Sequence, residues 1–321
     1  MRLTRFLPFL ALAAGPRLAT AQDIPPYVPA NPVLQSRSAL YAQPFVAPHA
    51  GWQVRVLTDY YNAVEVSRSP APFTRQYLFD AEVMQADAWL TRDLSRRVFV
   101  IADVPVRGGY SGFLDQALIW YHHTTGLSVP ARDELPRNQF EWGFVLPDSN
   151  IIRPRPGTFL GDIRTGAGMR LGRAELVGTV TLPTASLDAD GWARHVIGAS
   201  LAVIGRLVGN SRVIVDVSSS VGVTPTHGRL APYQRTVFVS GMASGRWRFA
   251  GPQAMFGTVW VQSSNWHGTG FRAVDAGEVT TDFGFLLRLK RKWPELQLGM
   301  TEDLKPDGPS MDVGFSIGLR W

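Results

Sequence analysis

The sequence predicts an all-β protein, a closed antiparallel transmembrane barrel of about 12 strands with one long helix-containing outer loop. Residues 313–321 alternate strictly between apolar side chains and glycine, serine or arginine, which gives a strand one apolar and one polar face. Residues 1–21 have the layout of a secretory signal peptide. Short turns alternate with longer loops along the chain, which is typical of outer-membrane barrels.

The first segment predicts export. Arg2 and Arg5 precede an apolar run over residues 6–14, and this run is too short to span a bilayer. Small residues at 19–21 form a cleavage site, so we expect the signal peptide to be cleaved after Ala21. The mature protein is then expected in the cell outer membrane.

Composition excludes several classes of protein. The sequence contains no cysteine, which excludes disulfides and zinc sites built on thiolates. The net charge of +6 is spread along the chain without a basic stripe, so nucleic-acid binding is not favoured. After the signal peptide no apolar run approaches the length of a membrane-spanning helix.

The mature chain divides into a tether and a barrel. Residues 22–50 contain six prolines, which remove hydrogen-bond donors and disfavour both helix and central strand. We interpret them as a proline-rich N-terminal tether, at the barrel mouth or inside it. Alternation begins at Gly51, so residues 51–321 are predicted to form the barrel.

Twelve alternating segments are the predicted membrane strands. They lie at 52–66, 76–83, 97–106, 162–172, 174–183, 192–206, 211–223, 233–247, 252–264, 279–290, 294–303 and 313–321. The stretch 201–205 does not alternate cleanly, and its facing is not assigned. An even number of strands leaves both termini on the side of the short turns.

One long excursion interrupts the strands. A thirteenth candidate strand at 138–147 would break the even count, so residues 107–161 are predicted to form a single long extracellular loop that contains it. In the same loop Phe113, Ala117, Trp120 and Tyr121 fall at helical spacing, which predicts a short amphipathic helix.

Charged residues on the polar faces of the strands are the first candidates for function. A charge on the lipid face costs about 2–4 kcal/mol at mid-depth for arginine or lysine, so these residues are expected in the lumen. They either guide ions or a solute, or form salt bridges that fill a narrow barrel, and their mixed signs favour the second hypothesis. The predicted lumen charges are Arg55, Asp59, Asp80, Glu82, Asp103, Arg164, Arg170, Glu175, Asp216, Arg235 and Arg288.

No catalytic, metal-binding or cofactor-binding residue is predicted. His122 and His123 are adjacent and would point about 100° apart on a helix, which disfavours a shared metal. Ser264 and His267 would lie on opposite faces of a strand, with no acid beside them. A structural role is preferred for both pairs.

The terminal strand resembles the recognition signal that the outer-membrane assembly machinery reads. That signal ends on an aromatic residue and has apolar residues at the preceding alternate positions, here Val313, Phe315, Ile317, Leu319 and Trp321. The resemblance implies a compartment and a partner during insertion, and no activity.

Most of the mature chain also resembles a family of bacterial outer-membrane barrels of unknown function. The resemblance covers roughly residues 30–321 and departs from the family at Ala185, where members usually have glycine. It implies fold and compartment only. The matching stretches are 31–32, 59–62, 79–82, 104–127, 132–138, 161–171, 182–186 and 302–321.

These features predict a monomeric barrel surrounded by outer-membrane lipids, without a cofactor. We expect passage or capture of a small solute, with the loop 107–161 as a lid. Two alternatives remain open: a structural or interaction barrel with an occluded lumen, and a lipid hydrolase at the outer leaflet.

Overall fold

The structure is a computed structural model. It describes residues 24–29, 31–69, 75–126, 135–147, 149–150, 155–187, 192–290, 293–305 and 313–321. The predicted signal peptide lies outside these residues, and so do parts of several longer loops. No α-helix in the described ranges is long and apolar enough to cross a membrane.

Fifteen strands form one sheet within the described chain. The first six are β1 (Trp52–Arg68), β2 (Gln76–Asp93), β3 (Val98–Tyr110), β4 (Glu141–Leu146), β5 (Ser149–Asn150) and β6 (Gly157–Leu160). The next nine are β7 (Arg164–Leu171), β8 (Ala174–Thr181), β9 (Gly198–Gly209), β10 (Val213–Val223), β11 (Val237–Ala250), β12 (Gln253–Gln262), β13 (Glu278–Leu287), β14 (Glu295–Asp303) and β15 (Val313–Arg320). The helices are α1 (Pro32–Gln35), α2 (Asp115–Thr125) and α3 (Arg272–Asp275).

Twelve of these strands, β1–β3 and β7–β15, close into an antiparallel barrel. Each pairs with its neighbour along the chain, β3 pairs with β7, and β1 closes the ring by pairing with β15. The predicted closed antiparallel barrel of about 12 strands is therefore confirmed. The thirteenth candidate strand is β4. It pairs with the first residues of β2, 76–80, and lies between β3 and β7 in the chain.

The two ends of the barrel differ in their connections. Connections of at most seven residues follow β2, β7, β9, β11 and β13, and all but the one after β13 have at most four; we call this side the turn end. Connections of seven or more residues follow β1, β3, β8, β10, β12 and β14, and we call this side the loop end. Strand β1 pairs with β15 only over residues 55–62, so its last six residues extend beyond β15 at the loop end.

Register and burial define which side chains face the lumen. On β15 the side chains of Phe315, Ile317, Leu319 and Trp321 are exposed on the outer face, while Ser316 and Arg320 between them are buried. This alternation is what a lipid-facing strand requires. The remaining residue of the predicted assembly signal is Val313, which pairs with Asn62 and Glu302 and is buried.

Strand β9 contains the stretch 201–205 whose facing the sequence leaves unassigned. Leu201 and Val203 are exposed on the outer face, and Ala202 and Ile204 are buried inside. The register between β9 and β10 shifts beside Asp216, so that one residue of β9 is left without a partner. This β-bulge follows the unassigned stretch. The stretch itself lacks a polar face because the inward-facing Ala202 and Ile204 are also apolar and pack with Val28, Tyr41 and Phe45.

Two of the predicted lumen charges, Asp80 and Glu82, face the outside of the barrel, and their assignment was wrong. Asp59 pairs with Gln85, so odd-numbered residues of β2 face the lumen and even-numbered ones face outward. Both carboxylates are nevertheless buried, Asp80 at 4% and Glu82 at 1% exposure. The prediction assumed that lipid covers the whole outer wall. At Asp80 and Glu82, however, other parts of the protein cover the wall.

The covering segment is the start of α2. Glu82 accepts hydrogen bonds from the backbone N–H groups of Phe113 and Leu114 and from the hydroxyl of Tyr60. Asp115 accepts a hydrogen bond from Asn62 Nδ2 on β1 at 2.9 Å. These contacts attach α2 to the outer wall of β1 and β2. Glu82 is therefore hydrogen-bonded, and both buried carboxylates are covered by protein.

Glycine allows two aromatic rings to lie flat on the inner wall. Tyr61 on β1 is next to Gly314 on β15 in the register, and a Cβ at Gly314 would overlap the Tyr61 ring. Phe99 covers Gly168 on β7 in the same way. Each ring buries the exposed glycine backbone beside it.

We expect Gly314→Ala to lower the free energy of unfolding by about 1–3 kcal/mol, because the added methyl group overpacks the wall. Urea unfolding of the barrel in micelles measures this. The matched control is Gly257→Ala on β12, where an added Cβ meets nothing within 4 Å. Equal unfolding midpoints for the two variants would contradict the close packing of Tyr61 on Gly314.

Candidate functional site

Residues 24–29 and 31–46 lie inside the barrel and occupy its lumen. We call them the plug hairpin: one arm (24–29) leads to a tip that contains α1, and the second arm (38–46) returns to the start of β1. Its side chains are buried, with Ile24 and Tyr41 at 2% and Leu34 at 0% exposure. The sequence leaves open whether this proline-rich segment lies at the mouth or inside, and the structure places it inside.

Side chains of the wall satisfy the backbone of the two arms. Gln85 Nε2 donates to Val28 O at 3.4 Å, and the N–H groups of Phe45 and Val46 donate to Asp216 and Glu175 at 3.2 and 3.0 Å. A proline-rich segment cannot pair continuously with a strand, so its buried N–H and C=O groups need such partners. The plug is therefore held by individual polar contacts rather than by sheet pairing.

Arg194, between β8 and β9, holds the tip of the plug hairpin. Its guanidinium donates to the backbone oxygens of Arg37 at 3.1 Å, Gln35 at 3.2 Å and Ser38 at 2.9 Å. Asp162 lies 3.5 Å from Arg194 Nε. Burial lowers the pKa of the Arg194 guanidinium to about 10 and Asp162 opposes this shift, so the group stays charged at neutral pH.

Arg37 of the plug makes the reciprocal contacts. It donates to Pro225 O at 2.9 Å and to Thr224 O and Arg235 O at 3.0 Å, all on the connection from β10 to β11. Burial lowers the pKa of the Arg37 guanidinium to about 10, so it too stays charged at neutral pH. Two charged guanidiniums thus join the tip to the loop end of the barrel.

Ion pairs connect charged groups along the inner wall. Arg206 Nε lies 2.8 Å from Asp216, and Arg206 Nη2 also donates to Phe45 O of the plug at 3.2 Å. Arg170 lies 2.7 Å from Asp93 and 3.4 Å from Glu175. Arg107 lies 3.4 Å from Asp87. These contacts agree with the salt-bridge interpretation of the lumen charges and add the plug as a third partner.

The remaining predicted lumen charges fall into two groups. Inward-facing positions on the wall strands hold Arg55, Asp59, Asp103, Arg164, Arg170, Glu175 and Asp216. Two others lie beyond the strand ends. Arg235 is an exposed residue before β11 whose Nε donates to Trp266 O at 3.1 Å, and Arg288 follows β13 and lies 3.7 Å from Glu295.

Several residues of the site have no counterpart among the predicted lumen charges. Asp87 and Arg107 continue the inward faces of β2 and β3, and extending the alternation past Val83 and Val106 would have found them. Arg37 and Arg194 lie outside the strands, where no periodicity marks them. Arg37 lies in the predicted tether. Arg194 lies in the predicted strand 192–206, which begins only at Gly198 in the structure.

Two cavities flank the plug hairpin. A cavity of about 40 Å³ is lined by Ile24, Phe45, Arg55 and Ile101, among others. A second of about 50 Å³ lies nearer the tip and is lined by Val28, Asp103, Arg107, Arg164, Trp192 and Arg194, among others. Trp89 of β2 lines both cavities. Its side chain is 7% exposed and borders both spaces.

The histidine and serine candidates have structural surroundings. His122 is buried, and its ring lies 5.3 Å from the ring of Tyr121. Ser264 Oγ accepts the Trp266 N–H at 3.1 Å and lies 2.7 Å from Trp266 O, which closes a tight turn. The described part of the chain contains no group of three histidine or acidic side chains arranged to bind a metal.

Comparison with known proteins relates the chain to barrels by structure alone. No protein-family model and no curated protein sequence matches it. It is similar to the COG4313 outer membrane channel from Pseudomonas putida F1, with 13% identity, a TM-score of 0.53 and coverage of 85% of this chain and 96% of that one.

Two further solved structures are similar at lower scores. The P. putida toluene transporter TodX has 9% identity, a TM-score of 0.39 and coverage of 91% of both chains. A Pseudomonas aeruginosa FadL homologue has 10% identity, a TM-score of 0.38 and coverage of 84% of this chain and 89% of that one. Together, the twelve-strand closure and the likeness to the COG4313 structure establish the fold of this chain as a closed antiparallel β-barrel of the outer-membrane type.

Proposed function

We propose that this protein is an outer-membrane channel for a small solute, gated by the plug hairpin. The observation that carries the proposal is the pair of cavities between the plug and the wall that both border Trp89. In this proposal the loop end faces the outside of the cell and the turn end faces the periplasm. The barrel functions as a monomer surrounded by outer-membrane lipids. The assembly machinery inserts it into the outer membrane after the signal peptide is cleaved.

The size of the cavities implies that the plug must move. A space of about 40–50 Å³ holds only a few water molecules, since one water needs roughly 10–15 Å³ by this measure. A solute of several heavy atoms therefore passes only when the plug shifts away from β2 and β3. Individual polar contacts suit such movement, because lumen water can replace each of them.

The second cavity, of about 50 Å³, lies at the loop end, and we call it the loop-end cavity. Its lining favours a polar solute. Arg107, Arg164 and Arg194 lie opposite Asp103 and Asp162, and Trp192 adds an aromatic surface. Charges of both signs can orient a polar or zwitterionic molecule but offer little to an aliphatic chain.

The proposed lid is narrower than the whole loop 107–161. Helix α2 lies on the outer wall, away from the mouth. Phe140, Trp142 and Phe159 pack on Trp192, with ring centroids 6.1, 5.8 and 6.3 Å away, and Phe159 and Trp192 line the loop-end cavity. We therefore assign the lid role to Phe140, Trp142 and Phe159 together with Trp192.

The alternative is a barrel that stays occluded and serves a structural or interaction role. Two sets of hydrogen bonds favour this alternative, because they fix the plug at the loop end. Arg37 of the tip donates to the connection between β10 and β11, and Arg194 donates to the backbone of the tip. Measuring conductance once with the plug locked to the wall and once with it released distinguishes the gated channel from the occluded barrel.

The test is a reversible disulfide between plug and wall. A Cβ added at Gly198 would lie 2.9 Å from Ala39 Cβ, so the two need separate by only about 1 Å to reach the mean of about 3.8 Å found in disulfides. The chain has no other cysteine to interfere. We expect the Ala39→Cys/Gly198→Cys variant to be silent in a planar bilayer when oxidised and to conduct when reduced.

The single variant Gly198→Cys is the control and should not respond to reductant. Silence in both redox states, with the disulfide verified by mass, would support the occluded barrel. Equal conductance in both states would show that ions pass without movement of the plug, and gating by the plug would be wrong.

A further inference from the structure

Helix α2 presents the most exposed aromatic side chains of the described chain. Phe113, just before the helix, is 70% exposed and Trp120 is 68% exposed, more than any other large apolar side chain in the described ranges. The opposite face is buried, with Leu118 at 5% and His122 at 7% exposure. One side of α2 is thus buried, while Phe113 and Trp120 lie on an exposed side that also carries Gln116, Ala117, His123 and Thr124.

The helix is fixed at its start. Phe113 N–H donates to Glu82 of β2 at 2.6 Å, and Asp115 accepts hydrogen bonds from Asn62 of β1 at 2.9 Å and from the Asn138 N–H at 2.6 Å. The aromatic side is therefore presented in a defined direction rather than by a loosely attached loop.

The height of α2 on the wall follows from the register. The ring of Phe113 stacks on Tyr60 with centroids 5.7 Å apart. Tyr60 pairs with Phe315, which is 49% exposed and is the last exposed apolar residue of β15 towards the loop end. The exposed apolar side chains of the outer wall form a band that we call the lipid-facing belt. Phe113 therefore continues this belt at its border towards the loop end, and Trp120 lies about 10 Å further along the helix.

We propose that α2 is a membrane-interface helix, with Phe113 and Trp120 inserted among the acyl chains of the lipid leaflet at the loop end. Aromatic side chains favour this depth, and an amphipathic helix can lie in the plane of the interface. Continuity with the lipid-facing belt through Tyr60 identifies lipid as the occupant. The inference depends on the barrel fold and is independent of transport.

The proposal also explains the outward-facing carboxylates. Asp80 and Glu82 lie at the level where the wall leaves the apolar belt, and α2 separates them from lipid. The helix gives the leaflet an aromatic surface in place of two acidic side chains.

Site-specific fluorescence tests the proposal, since a chain without cysteine accepts single labels. Trp120→Cys and Phe113→Cys are each labelled with an environment-sensitive fluorophore and reconstituted into phospholipid vesicles that carry nitroxide lipids. Ile317→Cys, on the outer face of β15, is the lipid reference. Thr226→Cys, exposed between β10 and β11, is the aqueous reference.

We expect the nitroxide lipids to quench the labels at 120 and 113 as strongly as the label at 317, and aqueous iodide to quench only the label at 226. Quenching by iodide alone at 120 and 113 would overturn the proposal. So would protection from both quenchers together with energy transfer between differently labelled copies, because a second copy would then cover the helix. Gel mobility with and without boiling verifies that each variant is folded.

Discussion

Replacing Arg194 by alanine is expected to release the tip of the plug hairpin. The guanidinium is 3% exposed and donates to three backbone oxygens of the plug and to Thr224 Oγ1 at 2.9 Å. A hydrogen bond to a charged group contributes roughly 1.5–3 kcal/mol. Loss of this cluster should therefore favour the released plug by about 3 kcal/mol or more, which is roughly a hundredfold change in the equilibrium.

Cysteine accessibility measures this change without relying on conductance. Ala39 is fully buried in the plug, so the rate at which a water-soluble maleimide labels Ala39→Cys reports the fraction of released plug. We expect Arg194→Ala to raise that rate about a hundredfold when added to Ala39→Cys. Arg212→Ala is the control, because Arg212 is an exposed arginine at the turn end. An unchanged rate would mean that Arg194 does not hold the tip.

The contacts of Arg194 also explain why the sequence could not reveal this part of the site. Strand periodicity marks Asp59, Asp103 and Asp216, because their neighbours alternate with apolar residues on a membrane strand. Arg37 and Arg194 meet from positions far apart in the chain, in a tether and a connection without a regular period. Only the folded backbone brings these two segments together.

The wrong assignment of Asp80 and Glu82 has a related cause. The alternation itself was read correctly, since Tyr77, Phe79 and Val83 share the face opposite to these two carboxylates. The error lay in choosing the lumen as the polar side. Tyr77 and Phe79 face the lumen here because they pack with Trp192 and Phe271, and the start of α2 covers the carboxylates outside.

The barrel wall was easier to predict because its chemistry is local. A lipid-facing strand must alternate, and a short connection must reverse the chain, so twelve strands and their closure follow from the pattern. The β-bulge beside Asp216 is an exception, since the extra residue disturbs the alternation that would reveal it.

Trp89→Ala is expected to join the two cavities and to open a path that does not require movement of the plug. The Trp89 side chain lies between the spaces of about 40 and 50 Å³, and its removal leaves a continuous gap along β2 and β3. The effect is best measured in the oxidised Ala39→Cys/Gly198→Cys background, where the plug is fixed. We expect the locked parent to be silent and the locked Trp89→Ala variant to show steady conductance.

Trp260→Ala is the matched control for the Trp89 path, because it removes the same side chain from another part of the lumen. Trp260 of β12 is 1% exposed and packs against Tyr27 of the plug with ring centroids 5.6 Å apart, yet it lines neither cavity. Both substitutions should lower stability by about 3–5 kcal/mol, so stability loss alone cannot explain a difference between them. Conductance in both locked variants would reflect general loosening of the plug, and silence in both would contradict a path at Trp89. Conductance with Trp89→Ala alone would locate the solute path between the plug and strands β2 and β3.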